Sequence, residues 1–274
     1  MTTTSSSRRV CAHIELQVTE VADLVLSIAV ATDAVDATEQ LTVISDGQAL
    51  PAEAIEEIVA TDGTRLHRLA AAPVGQLVVD YTATVAPGAS ERPVSPLEAI
   101  VFTRPSRYCD SDRLAAVTAT HFGGLAGAEL VAAVTDWVYT QIAYTPGSSQ
   151  VTDGALEAYL SRTGVCRDMA QLVVTFLRAS GMPARLVSVY APGLSPMDFH
   201  AVAEVALDGT WRVIDATRLA PRASMVRIAT GRDAADTAFL TVNAGRADLV
   251  TMSVFAVADP DLPVEDAAAV VSLS

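Results

Sequence analysis

The stretch RTGVCRDMAQLVVTFLRASGMPAR, residues 162–185, constrains the fold of this chain more than any other. Between Cys166 and Ala179 the polar residues Arg167, Asp168, Gln171, Thr175 and Arg178 keep to one narrow stripe, and every other side chain is apolar. A helix with so wide an apolar surface needs neighbours on most sides. Gly181 and Pro183 end it in the usual order, and ARLVSVY continues as a strand. The chain is thus expected to wrap other elements around a central helix. Its 274 residues, 51% of them apolar, are enough for such a core.

Downstream, FHAVAEVAL, an Asp208-Gly209 turn and TWRVIDAT read as a β-hairpin. Upstream, DRLAAVTATHF, AELVAAVTDWVYTQI and TDGALEAYLSR carry helical spacing, the last with Thr152 or Asp153 as N-cap. Residues 10–86 alternate in polarity around Asp46-Gly47 and Asp62-Gly63 turns and read as strands. Prolines 87, 93, 96 and 105 disfavour regular structure and mark a connection. The expected fold is α+β. An all-β domain with its linker over residues 1–100 precedes a catalytic domain over 101–274, with FLTVN and LVTMSVFAV as late strands and an acidic tail.

The hairpin brings together residues that carry chemistry. A two-residue turn places Leu207 opposite Thr210 and hence His200 opposite Thr217, which makes Asp215 the same-face diagonal neighbour of His200. A carboxylate so placed fixes an imidazole's tautomer and stabilises the imidazolium. Cys166 stands where the unpaired N–H groups and macrodipole of a helix favour a thiolate, and where the same N–H groups can hold an oxyanion. Cys166, His200 and Asp215 therefore follow the order of a thiol acyl-transfer enzyme.

Composition excludes several alternatives. Cys11, Cys109 and Cys166 lie far apart without C-x-x-C spacing, which suits neither a disulfide framework nor a zinc site. A net charge of −14 argues against nucleic acid as a partner. No apolar run reaches bilayer-spanning length, and the opening MTTTSSSRR lacks a signal-peptide apolar core; a soluble, cytoplasmic protein with no membrane partner is expected. GGLAG lacks the lysine of a phosphate-binding loop. His13 and His67 are expected on solvated strand faces, and His121 at the end of an apolar helix. Asp110 and Asp112 lack the glycine and closing glutamate of a calcium loop and read as helix N-terminal acids. No cofactor and no metal are implied.

Three blocks in order, GVCRDMAQLVVTFLRASGMPARLVSVYAPG, DFHAVAEVALDGTWRVIDATRLAP and GRDAADTAF, resemble the bacterial transglutaminase-like superfamily, whose members are often described as predicted cysteine proteases. RPSRYCDSDRL and IAYTPGSS match the leading part of the same family, and the likeness spans about residues 101–240. The resemblance implies a papain-like α+β core with Cys166 as nucleophile, His200 as base and Asp215 as orienting acid. The chain departs from the family pattern at Met169, Gln171, Val202, Ala216 and Arg218, of which Val202 and Arg218 are expected beside the site.

Three functions remain open at this point: hydrolysis of an amide or ester through a thioester, transfer of the same acyl group to an amine, and non-catalytic peptide binding. The substrate is a peptide, a protein or a small amide or ester, and the oligomeric state is not legible. All 18 basic residues are arginine, so an amine-joining enzyme would find no lysine on this chain itself. Tyr144, Ser149 and Gln150 are candidates for a second oxyanion donor.

Overall fold

A computed structural model describes residues 6–32, 36–88, 91–266 and 269–273; most of the polar opening, residues 1–5, lies outside them. β1 (Ser7–Leu26) organises the first sheet, with β2 (Ala37–Ser45), β3 (Gln48–Ala49), β4 (Glu56–Val59), β5 (Arg65–Ala72) and β6 (Gly75–Val85). The expected hairpin turns are present: Ser45 pairs Gln48 across Asp46-Gly47, and Val59 pairs Arg65 across Asp62-Gly63. The order is β3-β2-β6-β1-β5-β4, all antiparallel.

The proline-rich connection is not irregular throughout. Residues 96–101 form α1 (Pro96–Val101), because Ser95 caps Glu98 N–H, the Glu98 carboxylate accepts from Ser95 N–H, and Pro96 stands where a helix tolerates proline. Then follow α2 (Ala115–Phe122), α3 (Gly127–Gln141), β7 (Ala143–Tyr144), α4 (Ala155–Ser161), β8 (Thr163–Gly164) and α5 (Cys166–Ala179). The N-cap of α4 is Gly154 rather than Thr152 or Asp153, with Glu157 reaching back to the Gly154 N–H at 2.9 Å. Among the described residues no single helix is long and apolar enough to cross a membrane.

The second sheet contains β9 (Ala184–Tyr190), β10 (Phe199–Leu207), β11 (Thr210–Ile214) and β12 (Val226–Gly231) in the antiparallel order β11-β10-β9-β12. α5 packs on β9 and β10, with α3 and α4 against it. The late strands FLTVN and LVTMSVFAV are one element, β13 (Leu240–Asp259), and it does not join this sheet. It pairs with β1 from Ser7↔Asp259 to Leu26↔Leu240, along the edge opposite β6 and β5. The two sheets share a core in which Ile28, Ala29 and Val30 meet Tyr190, Val226 and Ile228. Tyr190 Oη donates to the Ile28 carbonyl at 2.8 Å across that seam.

Candidate active site

α5 is more deeply enclosed than its apolar surface requires, since every residue from Asp168 to Arg178 is buried. Its polar stripe is buried as well, from Asp168 to Arg178. Arg178 donates to the carbonyls of Ala184, Arg104 and Arg232 and to Ser106 Oγ. Gln171 reaches the Asp153 carbonyl and the Ala234 N–H, both at 3.4 Å. Asp233 accepts from Tyr108 N–H at 2.9 Å. The blocks RPSRYCDSDRL and GRDAADTAF are thus the clamps that hold α5 in place.

The N-terminus of α5 is equally fixed. Helical bonding begins with Met169 N–H donating to the Val165 carbonyl at 3.1 Å, so the N–H groups of residues 166–168 precede the first internal bond. Asp168 accepts from Val165 N–H at 2.8 Å and pairs with Arg167 at 3.1 Å. Gly164 is obligatory here: a Cβ would stand 2.7 Å from Asp168 Cβ. Cys166 itself is half-buried.

On β10 and β11 the expected register holds from Leu207↔Thr210 to Ala203↔Ile214, with Asp208-Gly209 at the turn. Beyond Ile214 the ladder stops and the chain bends, and the His200 ring nitrogen Nε2 meets Asp215 Oδ2 at 2.9 Å. Thr217 supplies the remaining bonds, its N–H and Oγ1 each donating to Asp215 Oδ1 at 2.8 Å. Burial alone would lower the His200 pKa, but the charge and hydrogen bond of Asp215, joined by the Cys166 thiol, push it up to about 10. Burial likewise pushes the Asp215 carboxyl up, and His200 and Thr217 outweigh it to hold that group below its usual range. The pair is an imidazolium with a carboxylate. His200 Nδ1 is buried without a partner of ordinary hydrogen-bond geometry, although the thiol is near enough to raise the ring's basicity.

Of the three oxyanion candidates, only Tyr144 converges on Cys166. The two-residue β7–β8 ladder sets Tyr144 opposite Gly164 and brings its hydroxyl within reach of the Cys166 backbone and thiol. Burial, then the charges of Cys166 and Asp198, raise the Tyr144 pKa to about 12, so the hydroxyl remains a donor. Ser149 and the Gln150 carbonyl are instead held by Arg167 at 3.0 and 2.7 Å. Val202, expected beside the site, is fully buried with Val187, Val189 and Val213; Arg218 does lie near the site. His67 is buried rather than solvated, and burial lowers its pKa. Half-exposed His13 pairs with Asp80 at 2.7 Å, and His121 packs on Trp137. Cys109 is fully buried, its thiol pushed up to about 12 by that burial.

The transglutaminase-like superfamily model matches residues 116–216, a span that contains Cys166, His200 and Asp215. A predicted cysteine protease from Cytophaga hutchinsonii, solved at 1.9 Å, superposes with a TM-score of 0.86 at 32% identity, covering 98% of this chain and 96% of that one. This chain belongs to the transglutaminase-like superfamily. Its fold accordingly joins a β-rich N-terminal region to a transglutaminase-like core. Shorter stretches resemble mycobacterial proteins: an uncharacterized protein from Mycobacterium tuberculosis is 43% identical over 53 residues, 19% of this chain and 17% of that protein. One from Mycobacterium leprae is 38% identical over 60 residues, 22% of each. The chain therefore aligns with about a fifth of these curated relatives' length.

Proposed function

We propose that this protein is a thiol-dependent acyl-transfer enzyme that hydrolyses an amide or peptide bond, with Cys166 as nucleophile, His200 as acid and base, and Asp215 as the group that orients His200. The observation that carries this reading is the convergence of a helix N-terminal thiol, a buried His200–Asp215 pair 2.9 Å apart and the Tyr144 hydroxyl. The likeness to a predicted cysteine protease supports a peptide or protein as the substrate.

Each group then has a step. The Cys166 sulfur attacks the carbonyl carbon, and the resulting oxyanion meets the free N–H groups of α5 and the Tyr144 hydroxyl. The His200 imidazolium, protonated at neutral pH, passes its proton to the leaving amine as the C–N bond breaks. Neutral His200 next takes a proton from water, hydroxide attacks the thioester carbonyl, the C–S bond breaks to release the carboxylic acid, and the Cys166 sulfur is left beside the His200 imidazolium as at the start. Asp215 remains ionised throughout and steadies each imidazolium. The half-exposed position of Cys166 favours water over an amine as the second acceptor.

The test is intact-mass analysis after incubation with peptide and small-amide libraries, with and without added amine. A mass increment on wild-type protein that decays in water and is absent from Cys166→Ala is expected. Decay only when amine is added would reassign the second step to amide formation. Binding without any increment would leave a peptide-binding module.

A further inference from the structure

A cavity of about 540 Å³ adjoins the proposed catalytic groups, and it continues away from them toward two arginines. Its near wall is Tyr144, Met169 and Thr217: the partner of Cys166, the residue one turn along α5, and the partner of Asp215. Its far wall holds Arg162, Arg218, Tyr139 and Leu219.

Among the described residues, five other than glycine have a positive φ, and three are aspartates, which tolerate the left-handed region. The other two are Arg162 at 59° and Arg218 at 56°, both in this one cavity. Arg162 takes this backbone as the C-cap that ends α4, and Arg218 takes it in the bend after Asp215, and the two side chains share this cavity.

Neither guanidinium group is held by a buried carboxylate among the described residues. Among the described residues Arg162 meets no carboxylate and makes no side-chain hydrogen bond; its guanidinium lies over Trp137 at 4.7 Å and Tyr159 at 4.4 Å, and its Nη1 is enclosed without an acceptor. Stacking holds the group rigid while leaving its in-plane N–H edge without an anion. Arg218 stacks on Tyr139 at 4.1 Å and pairs with Asp136, which is 68% exposed. An exposed pair of this kind is weak enough for another carboxylate to displace it.

We propose that this cavity is the acyl-donor subsite of the thiol enzyme inferred above, and that Arg162 and Arg218 select donors bearing a carboxylate near the bond to be cleaved. The assignment rests on that functional reading and adds the substrate class to it. Planar guanidinium forks match a carboxylate with paired, charge-assisted hydrogen bonds, which a neutral amide of the same shape cannot reproduce. The carboxylate belongs either to an acidic side chain or to a dicarboxylic acyl group.

Matched chloromethyl ketones test this, since each alkylates a thiolate by forming a C–S bond as chloride leaves. One pair is acetyl-Glu-Gly and acetyl-Gln-Gly; the other is succinyl-Gly and its terminal amide. On wild-type protein one acidic probe should alkylate Cys166 at least about tenfold faster than its amide, the size expected of one charge-assisted contact. Which pair shows the preference identifies the source of the carboxylate. Arg218→Gln, at an exposed position, should bring the ratio to within about twofold of one, and Arg218→Lys should restore part of it. Arg162→Gln should act in the same direction. A ratio near one for both pairs on wild type, or an unchanged ratio in both glutamine variants, overturns the subsite. If the amide probes label Cys166 no faster than Cys11 and are indifferent to His200→Ala, the thiol reading falls and the subsite with it.

Discussion

Two buried charge clusters share β10, four residues apart, and they have been built to opposite ends. At Glu204 the carboxylate receives Arg227 at 2.6 Å and Arg185 at 2.7 Å, and Arg185 also bonds Glu98 and stacks on Trp211 at 3.9 Å. At His200 the imidazole has Asp215 on one nitrogen and no ordinary partner on the other, which leaves it for the thiol. In both clusters burial opposes the charged forms and the partners outweigh it, leaving Glu204 at about 2 and His200 at about 10. The difference is valence: Glu204 is held by cations on two neighbouring strands, whereas His200 keeps one side open beside the Cys166 thiol. A saturated buried ion pair fixes strand packing; an unsaturated one is available for chemistry.

The sharpest way to break this contrast is to remove one member from each. His200→Ala and Cys166→Ala should each lower turnover by on the order of 10⁴- to 10⁶-fold, and the double variant should be no worse than the poorer single, because the groups act as a unit. Steady-state kinetics on any substrate found by mass trapping checks this, with melting temperatures to confirm that Cys166→Ala leaves the fold intact. Glu204→Gln should do the reverse. Removing the charge that Arg185 and Arg227 share should cost about 3–5 kcal/mol of stability in denaturant titration. Equal stability loss in Cys166→Ala and Glu204→Gln would erase the distinction between the clusters.

A smaller effect separates them by pH. Because the folded pKa of His200 is raised, its stabilising contribution is complete below its unfolded value of about 6.5 and is lost as pH rises through about 10. Asp215 and Glu204 have lowered values, so their contributions are present above about 4–4.5 and lost only as pH falls further. Between pH 7 and 10 the wild type should therefore lose on the order of 3–4 kcal/mol that His200→Ala does not lose. Parallel thermal melts across that range would show it, and identical slopes would refute the imidazolium assignment.

Much of this was legible in the sequence because it is local. The Asp208-Gly209 turn sets the register that brings His200 to Asp215, and Gly181-x-Pro183 ends the central helix, so a few neighbouring residues decide both. What was not legible depends on distant partners. β13 pairs with β1 across more than two hundred residues, and nothing in LVTMSVFAV names that partner. The partners of the polar stripe of α5 were not legible, because Arg178 and Gln171 bond to backbone carbonyls and amides of remote loops. Tyr144 could not be ranked above Ser149 and Gln150 until the β7–β8 bridge and the Arg167 contacts were known. The proline signal misled at α1, where Ser95 and Glu98 form a capping box around Pro96.

The central claim is that Cys166 and His200 form one reactive unit, and it can be tested without any substrate. Wild-type and His200→Ala proteins are treated with iodoacetamide at pH 6, and labelling of Cys11, Cys109 and Cys166 is followed separately by peptide mass spectrometry. Cys166 should react at least about tenfold faster than Cys11, buried Cys109 should not react, and His200→Ala should remove most of the Cys166 advantage. A Cys166 rate equal to that of Cys11, or one unmoved by the loss of His200, would mean that this thiol only fills space at the start of a helix.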